Sequence, residues 1–245
     1  MSSPPPLTWR LAVHPELPST ADLVAQAAAA GEAEGLAVLA LRQTAGRGRA
    51  GRAWESPTGN LYLSVLLRPQ TSAREAGQWS LLASVALAEA AGALLADQGR
   101  LALKWPNDLL LDGAKCAGIL AESNLAPGGT LEWLSLGIGV NLAHAPALPD
   151  RPTAHLGATE PPEAFAHRLL ARLSHWRDVA LTAGFAPVRA AWQALAMPPG
   201  SALRVRQGNA YVEGHYAGLA EDGSLLLHTE NTTRRIIAGE VEGMR

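Results

Sequence analysis

Apolar and polar positions along this chain form blocks that switch between a strand period and a helix period. Ser19-Thr20-Ala21-Asp22 has the spacing of a helix N-cap, and the Ala-rich segment after it predicts a helix to about residue 31. Residues 36–42 form an apolar run of strand length, and residues 61–68 form another that stops at Pro69. Ser72-Ala73-Arg74-Glu75 is a capping box that predicts a long helix over 76–97, with Leu81, Leu82, Val85 and Leu87 as apolar positions. Short apolar runs at 101–104, 109–111 and 116–122 follow, and Asp112-Gly113 between the last two is a strong hairpin signal. A two-residue loop there sets Leu110 opposite Lys115 and Asp108 opposite Ala117, so that Asp108 and Lys115 share a face as diagonal neighbours. Residues 131–141 read as a further strand, and helices are predicted over 163–184 and 186–197.

Pro198-Pro199-Gly200 marks a boundary between residues 1–198, of which 1–7 form a Pro-rich loose tail, and residues 199–245. Five short strands are predicted beyond it, at 202–206, 210–214, 216–219, 224–228 and 234–237, with turns at Gly208-Asn209 and Asp222-Gly223. That density of short strands suggests a small β-barrel, too small to host much chemistry alone.

With 48% apolar residues in 245, the chain can bury a sizeable core. Its single cysteine, Cys116, rules out an internal disulfide framework and favours a reducing, cytoplasmic setting. Its apolar neighbours Ala117 and Ile119 mark it as a packing thiol rather than a nucleophile. No apolar run is long enough for a membrane helix, and no signal-peptide core opens the chain. The seven histidines lack metal-ligand spacing, so no protein metal ligands are assigned.

Charge is concentrated rather than spread. The formal net charge is −2, yet Gly46-Arg47-Gly48-Arg49-Ala50-Gly51-Arg52-Ala53-Trp54 alternates three glycines with three arginines. Such a backbone can approach an anion closely and present forked donors to it. A nucleic-acid binder would show a broader basic stripe, so a small anionic ligand such as a nucleotide or an adenylate fits better. The only two lysines, Lys104 and Lys115, lie eleven residues apart. A compact ammonium suits a place beside a reacting carboxylate and phosphate. Activation of a carboxylate by ATP needs such cations, because both partners are anionic and charge builds on phosphorus in the transition state.

These residues carry a resemblance. The Gly46–Trp54 block, Asn60-Leu61-Tyr62, Lys104-Trp105-Pro106-Asn107-Asp108 and Lys115-x-x-Gly118-Ile119-Leu120 are similar to the signature blocks of biotin protein ligases, in that family's order and spacing. The likeness covers most of residues 15–141, and residues 199–245 resemble the family's small C-terminal SH3-like domain. It implies an α+β fold like that of the class II synthetases, a mixed, mainly antiparallel sheet with helices packed on it, plus the SH3-like barrel. It implies ATP with Mg2+ as cosubstrate, biotin as substrate, and transfer of biotin to one lysine of a biotin carboxyl carrier domain, that of acetyl-CoA carboxylase. By matching motif position, Ser19, Thr20 and Gln43 would hydrogen-bond the ureido ring of biotin. Gly46 and Arg47 would close the pocket over it, and Gly118 and Gly137 would leave room for the ligand. Arg49 and Arg52 would hold phosphate, Trp54 would cover a ring, and Lys104 would support the phosphates. Asn107 and Asn141 would lie near adenine. Lys115 would bridge carboxylate and α-phosphate, with Asp108 orienting lysine or metal and Arg49 completing the catalytic set.

Some family members begin with a DNA-binding domain, and here the Ser19-Thr20 block arrives too early for one, so no nucleic-acid partner is expected. The resemblance leaves monomer and homodimer open. A lipoate-protein ligase shares the adenylation logic and is the alternative enzyme. A non-catalytic nucleotide or nucleic-acid binding module is the alternative of another class.

Overall fold

The computed structural model describes residues 6–230 and 232–242; most of the expected tail at 1–7 lies outside them. Seven strands form the main sheet: β1 (Arg10–His14), β2 (Leu36–Ala40), β3 (Leu61–Leu67), β4 (Leu101–Lys104), β5 (Asp108–Leu111), β6 (Ala114–Leu125) and β7 (Leu131–Val140). Their spatial order is β1-β2-β3-β7-β6-β5-β4. Only β1 and β2 are parallel; every other pair is antiparallel. The expected mixed, mainly antiparallel sheet is therefore present.

The sheet has two unlike faces because side chains alternate along each strand. Leu61, Leu63 and Val65 of β3, Ala117 and Ile119 of β6, and Leu136, Ile138 and Val140 of β7 point into one large core. Helices α2 (Ala76–Gly92), α3 (Pro162–Ala183) and α4 (Ala186–Ala194) cover that face. α2 is buried on almost every side, sandwiched between the sheet and α3 and α4. On the opposite face α1 (Thr20–Ala29) packs Val24 and Ala28 against Val38 and Leu66. Ser19 caps α1 by accepting from the Asp22 amide at 3.4 Å. α1 covers only part of its face, and what it leaves bare carries small and polar residues: Ser64, Gly118, Gly137 and Gly139.

Several boundaries differ from expectation. β1 has no forerunner in the sequence reading; it is short and survives by pairing with β2. The Ser72–Glu75 capping box forms, but around a 3-10 turn that precedes α2. α2 stops at Gly92, where the side chain of Gln98 packs against the bare α-carbon. α4 stops at Ala194 because Leu195 turns its carbonyl to the Leu103 amide and ties the segment to β4.

The hairpin at Asp112-Gly113 forms with Leu110 opposite Lys115, as expected. A bulge then shifts the register, so Asp108 faces Gly118 rather than Ala117. The extra residue is Cys116, fully buried, with its thiol against the Leu109 carbonyl and its pKa pushed up to about 12 by burial. This thiol packs in the core and is no nucleophile at neutral pH.

Five strands follow the Pro198-Pro199-Gly200 boundary: β8 (Ala202–Gln207), β9 (Ala210–Leu219), β10 (Leu225–His228), β11 (Thr233–Ile236) and β12 (Glu240–Glu242). The two strands expected at 210–214 and 216–219 are one long strand, β9, with a register shift against β10, and β12 was not foreseen. The sheet runs β11-β10-β9-β8-β12 and is wholly antiparallel. Among the described residues no pairing joins β11 to β12, so the expected barrel is an open sheet. Its Val205, Leu225, Leu227 and Val241 belong to the same hydrophobic cluster as the main core. The Trp105 indole N–H donates to the Gly223 carbonyl across that junction.

Candidate active site

The bare part of the sheet is the floor of a cavity of about 360 Å³. Period-two alternation explains it: Ile119, Leu136, Ile138 and Val140 go to the core, so Gly118, Gly137 and Gly139 fall on the cavity side. Gly118 and Gly139 are paired neighbours on β6 and β7. The Trp54 indole lies on this pair: a Cβ at Gly139 would come within 2.6 Å of the ring, and one at Gly118 would meet it at 3.5 Å. The indole N–H is buried without a hydrogen-bond partner among the described residues.

The roof is the Arg/Gly loop, folded as a small hairpin. Trp54 donates its amide to Gly46, and Gly48 donates to Arg52. Gly51 at the tip has φ of +73°, a conformation that favours glycine. The three arginines tie this hairpin down in three directions. Arg47 bridges Asp22 of α1 and Glu122 of β6 across the cavity mouth, at 2.5 and 3.0 Å. Burial alone would lower its pKa, but the two carboxylates raise it. Arg49 donates to the Asn107 side-chain oxygen at 3.2 Å and to the Gly239 carbonyl at 3.3 Å. Arg52 pairs with Glu240 at 2.8 Å. The loop is thus held by the ion pairs of Arg47 and Arg52 and the hydrogen bonds of Arg49, two of the three arginines reaching Gly239 and Glu240 of the C-terminal sheet.

At the far side, β4 and β6 bring both lysines to one carboxylate on β5. Lys115 Nζ is 2.5 Å from Asp108 Oδ1, and Lys104 Nζ is 4.0 Å from Oδ2. Burial lowers the Lys104 pKa, with Asp108 opposing and Lys115 and Arg151 adding to the fall. Burial likewise lowers the Arg49 pKa despite Asp108 and Glu240. Lys115 Nζ also sits 5.5 Å from the centroid of the Trp54 ring. Six basic side chains against four acidic ones line the cavity, on a chain whose net charge is −2. The site attracts anions although the protein as a whole does not.

The opposite, closed end is neutral and polar. Thr20, Gln43 and Ser64 meet there, joined by hydrogen bonds of 2.8–3.1 Å. Tyr62 stands beside them with its hydroxyl on the Pro57 carbonyl, and burial pushes its pKa up to about 12.

Ser19, Thr20, Gln43, Arg47, Arg49, Arg52, Trp54, Lys104, Asn107, Asp108, Lys115, Gly118, Gly137 and Asn141 all line the cavity. Gly46 does not. A Cβ there would fall 2.5 Å from the Trp54 carbonyl and 2.7 Å from Ser56 Oγ, so its bareness serves the base of the loop. The two asparagines are also less free than expected. Asn107 spends its amide on the Ile119 carbonyl and on Arg49, and Asn141 donates to the Ala154 carbonyl. The sequence reading missed Ser64, Gly139, Arg151 and Glu240, which also line the cavity. The Gly137-x-Gly139 spacing was a usable signal for one of them.

Glu240 gathers Arg52, Arg151 and Arg206. Burial raises its pKa, but these arginines outweigh burial and bring it to about 2. A carboxylate with a depressed folded-state pKa adds stability above its unfolded value and loses it as pH falls towards the folded one. Wild-type protein should therefore exceed Glu240→Gln in urea midpoint at pH 6, and the gap should close between about pH 4.5 and 2. A gap that stays constant over that window would refute the ion-pair account.

Fold and site together match known proteins. Residues 15–141 match the model of the biotin/lipoate A/B protein ligase family, and residues 200–242 match that of the biotin protein ligase C terminal domain. The biotin–[acetyl-CoA-carboxylase] ligase of Paracoccus denitrificans is 41% identical over 216 residues, covering 83% of this chain and 88% of that protein. The enzyme of that name from Mycobacterium tuberculosis is 34% identical over 251 residues, covering 97% and 90%. Biotin protein ligase from Aquifex aeolicus, solved in complex with biotin and ATP, superposes with a TM-score of 0.80 at 26% identity, over 95% of this chain and 97% of that one. The chain belongs to the biotin/lipoate A/B protein ligase family.

Proposed function

We propose that this protein activates biotin with ATP and passes the biotinyl group to a lysine of a biotin carboxyl carrier domain, that of acetyl-CoA carboxylase. The observation that carries the reading is Lys115 on Asp108, placed between a neutral hydrogen-bonding end and an arginine-rich roof. A neutral head group with an anionic tail fits such a cavity, with the tail delivered to the cations.

In the first step a carboxylate oxygen of biotin attacks the α-phosphorus of ATP. The bond to the bridging oxygen breaks, and pyrophosphate leaves with the electron pair. Lys115 offsets the repulsion between carboxylate and phosphate and stabilises charge that grows on phosphorus. Asp108 orients Lys115, Lys104 supports the phosphates from 4.0 Å beyond the same carboxylate, and Arg49 and Arg52 hold phosphate from the roof. In the second step the acceptor's ε-amine attacks the acyl carbon, the bond to AMP breaks, and the amine's extra proton passes to water. The Arg47 bridge and the loop keep the adenylate from water until then. Mg2+ accompanying ATP would be held mainly by phosphate oxygens, since no cluster of three or more His, Cys, Asp or Glu forms among the described residues. It would neutralise the leaving pyrophosphate.

Among the described residues no helix is long and apolar enough to cross a membrane. Exchange of labelled pyrophosphate into ATP tests the reading. It should depend on biotin and not appear with lipoate or with no acid. Exchange that follows lipoate would favour the sister activity, and none with either acid would end both readings.

A further inference from the structure

The hydrogen bonds at the closed end of the cavity have only one possible direction, and they lead out of the cavity to the loop. The Thr20 backbone N–H can only donate, so the atom 2.8 Å from it must be the oxygen of the Gln43 amide. The Thr20 hydroxyl spends its one proton on the same oxygen, at 3.1 Å. Its 2.8 Å contact with Ser64 must therefore be donated by Ser64. With its oxygen fixed, Gln43 turns Nε2 to Ser56 Oγ at 3.1 Å. Ser56 in turn donates to the Trp54 carbonyl at 2.9 Å. The donors run one way: Ser64, Thr20, Gln43, Ser56, and then the last residue of the Arg/Gly loop.

This order decides what the cavity offers. Gln43 keeps one N–H free, Ser19 keeps its hydroxyl proton, and Thr20 and Ser64 keep lone pairs. Were the Gln43 amide turned over, the free donor would become an acceptor. Ser56 does not line the cavity and is 8% exposed, so it can act on a ligand only through the residues it bonds, Gln43 and Trp54. It is also wedged at the base of the loop, where a Cβ on Gly46 would meet Ser56 Oγ at 2.7 Å, Gln43 Nε2 at 2.9 Å and the Trp54 carbonyl at 2.5 Å. That close packing leaves no room for the amide, the hydroxyl and the carbonyl to move independently.

We infer that Ser56 is a positioning residue: it locks the Gln43 amide in the orientation that reads the ligand's head group and couples that end of the cavity to loop 46–54. The inference rests on the biotin reading above. A ligand that engages Gln43 tightens a joint whose other side is Trp54, the residue that lies on the Gly118 and Gly139 floor.

The test compares wild type, Ser56→Ala and Ser64→Ala in three measurements: melting temperature, biotin affinity by calorimetry, and tryptic cleavage at Arg47, Arg49 and Arg52 with saturating biotin. Ser56→Ala loses two hydrogen bonds of the folded protein and should melt a few degrees below wild type, and it should bind biotin about tenfold more weakly because the Gln43 amide is no longer held. Even with its cavity filled, its loop should be cut several-fold faster than that of biotin-saturated wild type. Ser64→Ala removes the donor at the far end only; it should weaken biotin about fivefold and leave cleavage unchanged. Biotin affinity and loop protection in Ser56→Ala within twofold of wild type would overturn the inference. So would weakened binding with full protection, since the coupling would then be absent. Should Ser56→Ala not fold, unchanged biotin affinity in Ser64→Ala would overturn the directional chain by itself. Wild type that fails to bind biotin would instead overturn the functional reading on which the inference stands.

Discussion

Lys115→Ala should lower biotin-dependent pyrophosphate exchange by about a thousandfold or more, in line with the loss of a preorganised group that acts on transition-state charge. The protein should remain folded, because Lys115 lines the cavity and lies outside the hydrophobic core clusters. Removing it leaves Asp108, among the described residues, with an ion pair to Lys104 at 4.0 Å, which is the wrong distance to do the same work. Lys115→Arg should not restore the rate. The ammonium fits between Asp108 at 2.5 Å and the Trp54 ring centroid at 5.5 Å, and a planar fork is a different shape with a different reach. The effect should fall on kcat more than on the KM for either substrate, since the interaction strengthens as the phosphorus becomes five-coordinate. Exchange within tenfold of wild type would remove Lys115 from the mechanism.

Arg49→Gly should convert a retained intermediate into a leaking one. Arg49 holds the roof at two points, the Asn107 side chain and the Gly239 carbonyl. Each bond to a charged group is worth roughly 1.5–3 kcal/mol, so losing both should speed adenylate release by at least ~10-fold. Free adenylate should then accumulate in a single turnover and acylate lysines of bystander proteins as well as the carrier. Glycine also frees the backbone, which already turns through left-handed positions at Ala50 and Gly51. Quantifying released adenylate after rapid mixing gives the measurement; retention equal to wild type would show that Arg47 and Arg52 hold the roof without Arg49.

Much of this was legible in the chain. The apolar runs located β2, β3, β6 and β7, and the Asp112-Gly113 turn put Asp108 and Lys115 on one face. That prediction survived although the register behind it did not: the bulge at Cys116 moved Asp108 from Ala117 to Gly118. A bulge keeps a local side-chain face while shifting the partner, so period-two reasoning can be right about one and wrong about the other. β1 and β12 were illegible for a common reason. Each is short, β1 with only the three-residue apolar run Leu11-Ala12-Val13 and β12 with Val241 alone, and each exists because a neighbouring strand supplies its hydrogen-bond partners.

The residues of the site divide along the same line. Motif order and local spacing picked out side chains that the fold brings to one cavity: two lysines, the arginine loop, and the Ser19-Thr20 cap. These are short-range patterns, set within one turn, hairpin or helix end. Only the tertiary structure decided what each is tied to. Glu240 reaches Arg52 from 188 residues away, and Arg49 reaches Gly239 from 190. Ser64 meets Thr20 across 44, and Gly139 forms the floor because β7 returns to the middle of the sheet beside β6. Contacts at such separations depend on how strands order themselves, which burial of the whole core selects and no local pattern encodes.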